Sequence, residues 1–147
     1  MNPEVSFTLI DSVQKKMTAV QEFADQLGLK NVTTLSDRLE LIGRDSKYRE
    51  RFDHIVSRAL APLPTLLELA IPLLDREGEF IAMKGPGYLE EVHLADRAME
   101  ILNVTQPTVE RYELKELGYR YLLRFKKTKG VPHLYPRRVG VPKKAPL

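Results

Sequence analysis

The run Val5-Ser6-Phe7-Thr8-Leu9-Ile10 is short, β-branched and aromatic, and it stops at a carboxylate in Asp11-Ser12. Such a run reads as a strand of a parallel sheet, and in open α/β sheets ligands sit beyond the carboxyl ends of the strands. Apolar residues then recur with a helical period at Val13, Met17, Val20, Phe23 and Leu27, closing at Gly28 before a second run at residues 31–35. Strand, helix and strand in about thirty residues make a βαβ unit, whose crossover is right-handed. An acid closing the first strand of such a unit suits the vicinal hydroxyls of a nucleoside ribose. It equally suits the start of the next helix, and one carboxylate can serve both.

The remaining elements follow the same alternation. Ser36-Asp37-Arg38-Leu39-Glu40 is a polar turn at the carboxyl end of the second strand, and residues 43–51 form a charged, solvated connection. Residues 52–57 read as a third strand ending at Arg58, and the prolines at 62 and 64 suit a loop and the start of an apolar helix over 65–74. A strand at 79–83 finishes in the turn Lys84-Gly85-Pro86-Gly87, and Leu89, Val92, Ala95, Met99 and Leu102 mark one further amphipathic helix. Strands at 104–114 and 119–125 pair as an antiparallel ribbon with Gly118 in a short link. The expected fold is an α/β domain over residues 1–126, with a mostly parallel sheet and a terminal antiparallel hairpin. Residues 127–147 hold four prolines and no helical period, and are expected as an extended tail over the surface, ordered at Tyr135 if anywhere.

Composition narrows the function. At 147 residues the chain is one domain by length, with room for a sizeable core. It has no apolar run near the roughly 18 residues that span a bilayer, and no basic segment followed by an apolar one at its start; no membrane partner and a cytoplasmic location are expected. The absence of Cys removes disulfides, thiolate nucleophiles and Cys-based zinc sites, and His54, His93 and His133 have no metal-binding spacing, so no metal is expected. Residues 1–125 carry 16 basic and 20 acidic side chains, whereas residues 126–147 carry seven cations and no carboxylate. An acidic body with a basic tail points to a polyanionic partner at the tail end.

With its acid at the end of the opening strand, this order of elements resembles the class I S-adenosylmethionine-dependent methyltransferases (Rossmann-like) from their second strand onward. Local strings sharpen the likeness. Phe7-Thr8-Leu9-Ile10-Asp11-Ser12 followed by Lys15-Lys16, Ser57-Arg58-Ala59, Ala82-Met83-Lys84-Gly85 and the terminal run from Tyr135 to Leu147 occur in the same order in the bacterial ribosomal small-subunit RNA methyltransferase G family, also called glucose-inhibited division protein B. The resemblance implies methyl transfer from S-adenosylmethionine to N7 of a guanine in 16S ribosomal RNA, with the small ribosomal subunit as partner. By position, it implies Asp11 and Ser12 at the ribose, Leu39 and Glu40 by the adenosine, and Arg58 closing the cofactor pocket. The family carries a Gly-rich loop after its first strand. This sequence has none, and Met1-Asn2-Pro3-Glu4 matches the connection before the family's second strand, so the resemblance implies a sheet without its central strand.

Guanine N7 carries a lone pair, so attack on a sulfonium methyl needs alignment and no proton removal. No general base is nominated. Arg58 and Lys84 are positioning groups for phosphate or guanine O6, and in the tail Tyr135 is placed to stack on a base while Arg137, Arg138, Lys143 and Lys144 hold phosphates. Two other readings stand beside this one. A non-catalytic RNA-binding module would use the same cations without methyl transfer, and a nicotinamide dehydrogenase fragment would use Asp11 on its own ribose.

Overall fold

A computed structural model of the chain describes residues 2, 4–115 and 118–147. Strand β1 (Phe7–Asp11) leads into helix α1 (Gln14–Gln26), which closes at Gly28 with φ +67°, and strand β2 (Val32–Ser36) returns parallel to β1. The register pairs Phe7 with Val32 and Asp11 with Ser36, which places both carboxyl ends together. The expected βαβ unit is therefore present. The polar turn after β2 carries a short helix α2 (Leu39–Ile42), so that Glu40 and Ile42 turn inward.

Strand β3 (Phe52–Arg58) is followed by α3 (Leu63–Ala70), a 3-10 turn over Ile71–Leu73, and a long strand β4 (Leu74–Lys84). Helix α3 starts earlier than expected because Pro64 sits in its first turn, where the missing N–H costs nothing. It ends earlier because Pro72 cannot continue it. Strand β4 already begins at Leu74. Gly78 lets it pass close to β3: a Cβ there would lie 2.9 Å from the Asp53 carbonyl oxygen and 2.7 Å from the Leu74 side chain.

The amphipathic stretch expected as one helix is two, α4 (Tyr88–Leu94) and α5 (Asp96–Leu102), broken at the fully buried Ala95. Asn103 ends α5 in the left-handed conformation at φ 57°. Strands β5 (Thr108–Leu114) and β6 (Gly118–Lys126) form the expected antiparallel ribbon. Gly118 is the first residue of β6, at φ +69°, and residues 116 and 117 of the expected link lie outside the described residues. The expected start of this ribbon at Val104 is corrected: Val104 makes only an isolated bridge to Lys127, and the continuous ladder begins at Thr108.

The strands form two sheets, β1-β2 and β3-β4-β6-β5. Within them β1 and β2 are parallel, β3 and β4 are parallel, and β6 alone reverses against its neighbours. The main core lies between the larger sheet and α3 with α5. There Leu63, Leu67, Ile71, Leu74, Leu102 and Leu123 are fully buried around a stacked Phe80–Phe125 pair whose ring centroids are 5.8 Å apart.

Two expectations about irregular segments are corrected. Residues 43–51 are not a solvated link. The Arg49 guanidinium donates to the Gly43, Tyr135 and Val131 carbonyls at 3.0, 2.7 and 3.0 Å, and Glu50 accepts from Lys127 Nζ at 2.6 Å. These bonds hold the tail from Lys127 to Tyr135, and Glu68 and Glu40 hold it further on, at Arg137 and Gly140. A four-residue helix α6 (Val141–Lys144), entered through Gly140 at φ +81°, ends it.

Candidate functional site

Four consecutive residues of β1, Thr8 to Asp11, and residues of β3 from His54 to Arg58 line one hollow of about 480 Å³. These are the edges of the two sheets that pair with no strand among the described residues, and they leave Leu9 40% and Val56 58% exposed. Asp11 and Arg58, at the carboxyl ends of their strands, share this hollow with Leu39 and Leu60. Of the four side chains that the sequence places near strand ends, Asp11, Glu40, Arg58 and Lys84, folding brings Asp11 and Arg58 to this hollow and leaves Glu40 and Lys84 outside it.

Asp11 Oδ1 accepts the Val13 N–H at 2.8 Å, a local turn that starts α1, and Oδ2 lies 3.4 Å from Lys16 Nζ. The bond from Val13 holds the carboxyl below its ordinary value of 3.8 against the opposing effect of desolvation, with Lys16 adding to the lowering. A carboxylate offers about four lone-pair positions, so the helix-start role leaves acceptor capacity for a ligand hydroxyl.

Two of the five cofactor candidates stand elsewhere. Ser12 is exposed and does not line the hollow. Glu40 is buried and faces the tail: its Oε1 accepts the Gly140 N–H at 2.9 Å and lies 3.4 Å from the Arg38 guanidinium. Burial pushes this carboxyl up, and the bonds from Gly140 and Arg38 outweigh it, so the group sits below its ordinary 4.5. The side chain of Glu40 thus clasps the tail and does not line the hollow.

Beside the first hollow lies a second, of about 770 Å³, which shares Arg58 and Leu60 with it and is also lined by Met83, Glu91, Tyr112 and Arg120. Lys84 stands at its edge with a side chain only 9% exposed. Its ammonium donates to Glu91 Oε2 at 2.6 Å and to the Ala61 carbonyl at 3.0 Å, and the same Oε2 accepts the Leu63 N–H at 2.9 Å. Between the hollows Ala59 holds φ 51°, a left-handed conformation that side chains with a Cβ seldom adopt and that tends to occur at functional sites.

Of the tail residues expected on RNA, Arg138, Lys143 and Lys144 are exposed. Tyr135 is half-buried against the core. Arg137 is corrected outright: its guanidinium donates to both oxygens of Glu68, at 2.9 and 2.6 Å, and to the Ala145 carbonyl at 2.7 Å. Glu68 is 0% exposed and also takes the Arg137 backbone N–H at 2.8 Å; its hydrogen bonds to the guanidinium, helped by its charge, raise the Arg137 pKa above its ordinary value against the effect of burial. A fully buried acid of this kind requires a partner, and Arg137 supplies it. The sequence carried a signal for this pair, since Glu68 is the lone charge in the apolar run 63–74. No comparable signal marks Glu91, Tyr112 or Arg49, which sit in ordinary charged or alternating stretches. Among the described residues no cluster of His, Cys, Asp or Glu could hold a metal ion, and no helix is long and apolar enough to cross a membrane.

The α/β layout, with a hollow at the carboxyl ends of parallel strands and a reversed strand in the terminal ribbon, is that of the class I S-adenosylmethionine-dependent methyltransferases. Solved structures bear out the fold. An rRNA methylase from Streptococcus thermophilus superposes with a TM-score of 0.60 at 16% identity, covering 84% of this chain and 74% of that one. A SAM-dependent methyltransferase from Aquifex aeolicus gives 0.56 at 18% identity, covering 82% and 68%. More particularly, the chain belongs to the rRNA small subunit methyltransferase G (GidB) family, whose model matches residues 1–118. Proteins named ribosomal RNA small subunit methyltransferase G from Desulforamulus reducens and Deinococcus deserti are 36% and 41% identical over 99% and 100% of this chain. The chain spans 61% of the length of either relative.

Proposed function

We propose that the hollow between β1 and β3 takes S-adenosylmethionine and that the chain serves N7-methylation of a guanine in 16S ribosomal RNA. The observation that carries this reading is the sharing of one hollow by Asp11 and Arg58, from the facing edges of two sheets. The residues fit the cofactor's nucleoside: Asp11 retains acceptor capacity for the ribose hydroxyls, and Leu39 and Leu60 supply apolar surface for a flat base. When bound, S-adenosylmethionine supplies a methyl group on a sulfonium. The protein's part is then alignment: Asp11 fixes the ribose, Arg58 stands where the two hollows meet, and the second hollow receives the base to be modified. The exposed Arg138, Lys143 and Lys144 draw the RNA backbone by charge.

Calorimetric titration of the chain with S-adenosylmethionine is the test. We expect saturable binding that Asp11→Ala weakens about tenfold to a hundredfold, the range for lost hydrogen bonds to a charged group. Absence of binding to the unsubstituted chain counts against the reading. The rival, an RNA-binding module without methyl transfer, draws on the unpaired strand edges that border the cofactor hollow. Retention of RNA on a filter with no methyl incorporation into small ribosomal subunits would favour that rival.

A further inference from the structure

The second hollow has the make-up of a seat for a single nucleobase. Tyr112 offers an aromatic face, Met83 and Leu60 offer apolar surface, Arg58 supplies positive charge, and Glu91 places a carboxylate in the same wall. Enzymes that act on a base hold it in this manner, stacked on aromatic or apolar side chains and hydrogen-bonded along its Watson–Crick edge. The state of Glu91 narrows the choice of base. Its Oε2 is taken by Lys84 and by the Leu63 N–H, while Oε1 accepts no hydrogen bond among the described residues. Those two bonds fix the side chain: Lys84 is itself tied to the Ala61 carbonyl, and Leu63 opens α3. The remaining oxygen is therefore a held acceptor with its lone pairs open. A carboxylate accepts only, so it selects a base edge that donates.

We propose that Glu91 is a specificity-determining residue that reads guanine, with Oε1 accepting from the exocyclic 2-amino group while the ring lies against Tyr112. This rests on the reading of the chain as a guanine methyltransferase and adds the residue that distinguishes the base. At the 2-position adenine carries only C–H and the pyrimidines a carbonyl oxygen, so the amino donors of adenine N6 and cytosine N4 reach Glu91 only if the ring is turned out of this orientation. The 2-amino group and N7 lie on opposite sides of guanine, so a base held at Glu91 keeps N7 free to face Arg58 and the first hollow. Lys84 acts through Glu91, as a positioning residue whose ammonium orients the carboxylate.

The test is binding without cofactor, which separates the base seat from methyl transfer. Fluorescence anisotropy would compare two labelled single-stranded RNA heptamers that differ only in a central guanine or inosine, the latter lacking the 2-amino group. The unsubstituted chain is expected to prefer guanine about tenfold, within the range for one well-made base contact. Glu91→Gln should abolish most of that preference by weakening the guanine RNA alone, whereas a purely structural role for Glu91 would weaken both RNAs equally. Tyr112→Ala should weaken both by about tenfold, because stacking tolerates any base. Equal affinity of the unsubstituted chain for the two RNAs, or a preference that survives Glu91→Gln, overturns the proposal. Failure of the calorimetric titration with S-adenosylmethionine would instead remove the cofactor reading and leave a measured guanine preference intact.

Discussion

At the scale of single residues, three carboxylates hold the tail, and each is paired differently. Glu68 is fully buried against Arg137, so removing the guanidinium strands an ionised acid in the core. Arg137→Ala should cost about 3–5 kcal/mol in urea unfolding, and a combined Glu68→Leu, Arg137→Met change should recover much of that loss because the burial of both charges is itself costly. Glu50 and Glu40 respond to pH. Burial pushes the Glu50 carboxyl up, and the hydrogen bond and charge of Lys127 outweigh it, so the group lies below its ordinary 4.5, as Glu40 does. A carboxyl depressed in the folded state stabilises the protein above its unfolded value and ceases to do so as pH falls through the folded one. The thermal midpoint should therefore stay level above about pH 5 and decline below about pH 4.5. The Glu50→Gln variant should start lower and decline less steeply.

At the scale of elements, the tail packs by contact as well as by charge. A Cβ on Gly43 would sit 2.9 Å from Pro136 Cγ and 3.2 Å from the Leu39 carbonyl oxygen. Gly43→Ala should accordingly displace the tail and cost about 1–3 kcal/mol, the range for overpacking. Trypsin cleavage at Arg138 would report it as a faster cut than in the unsubstituted chain. Charge pairing also resets the expected salt response. Seven cations lie from Lys126 to Leu147, but Lys127 and Arg137 are engaged with Glu50 and Glu68, which leaves five. At about 0.7 per phosphate contact, the slope of log K against log salt for single-stranded RNA should be no steeper than about −3.5, against about −5 had all seven been available. This is where the sequence was least legible. Strand ends, the βαβ unit and the ribbon follow from local periodicity, and Asp11 and Arg58 could be placed from it. The clasps of Arg49, Glu50 and Glu68 on the tail span 69 to 86 residues along the chain, and no local pattern encodes such a pairing.

At the scale of the whole molecule, the two sheets differ in how much core each commands. The buried residues of the main apolar cluster all lie from Leu63 onward, with Ile55 and Ala61 packed against them, while Met17, Ala24 and Val32 of the βαβ unit are buried outside it. The strongest packing of β1, α1 and β2 is with one another. A unit with few apolar contacts to the rest opens at a lower free energy than the body it rests on. Amide hydrogen exchange should thus show β1 and β2 exchanging well before β4 and β6, whose Phe80–Phe125 stack lies at the centre of the core. The hollow is bordered by both parts, with Thr8 to Asp11 on one side and His54 to Arg58 on the other. A nucleoside held there bridges the two sheets, and a ligand that binds only the closed form stabilises it by about 2.7 kcal/mol at a hundred times its Kd. Added S-adenosylmethionine should therefore slow exchange in β1 and in the Ser57-Arg58 end of β3 together, and leave β5 unchanged. Protection confined to one side of the hollow would place the cofactor against a single sheet and remove the physical link between Asp11 and Arg58.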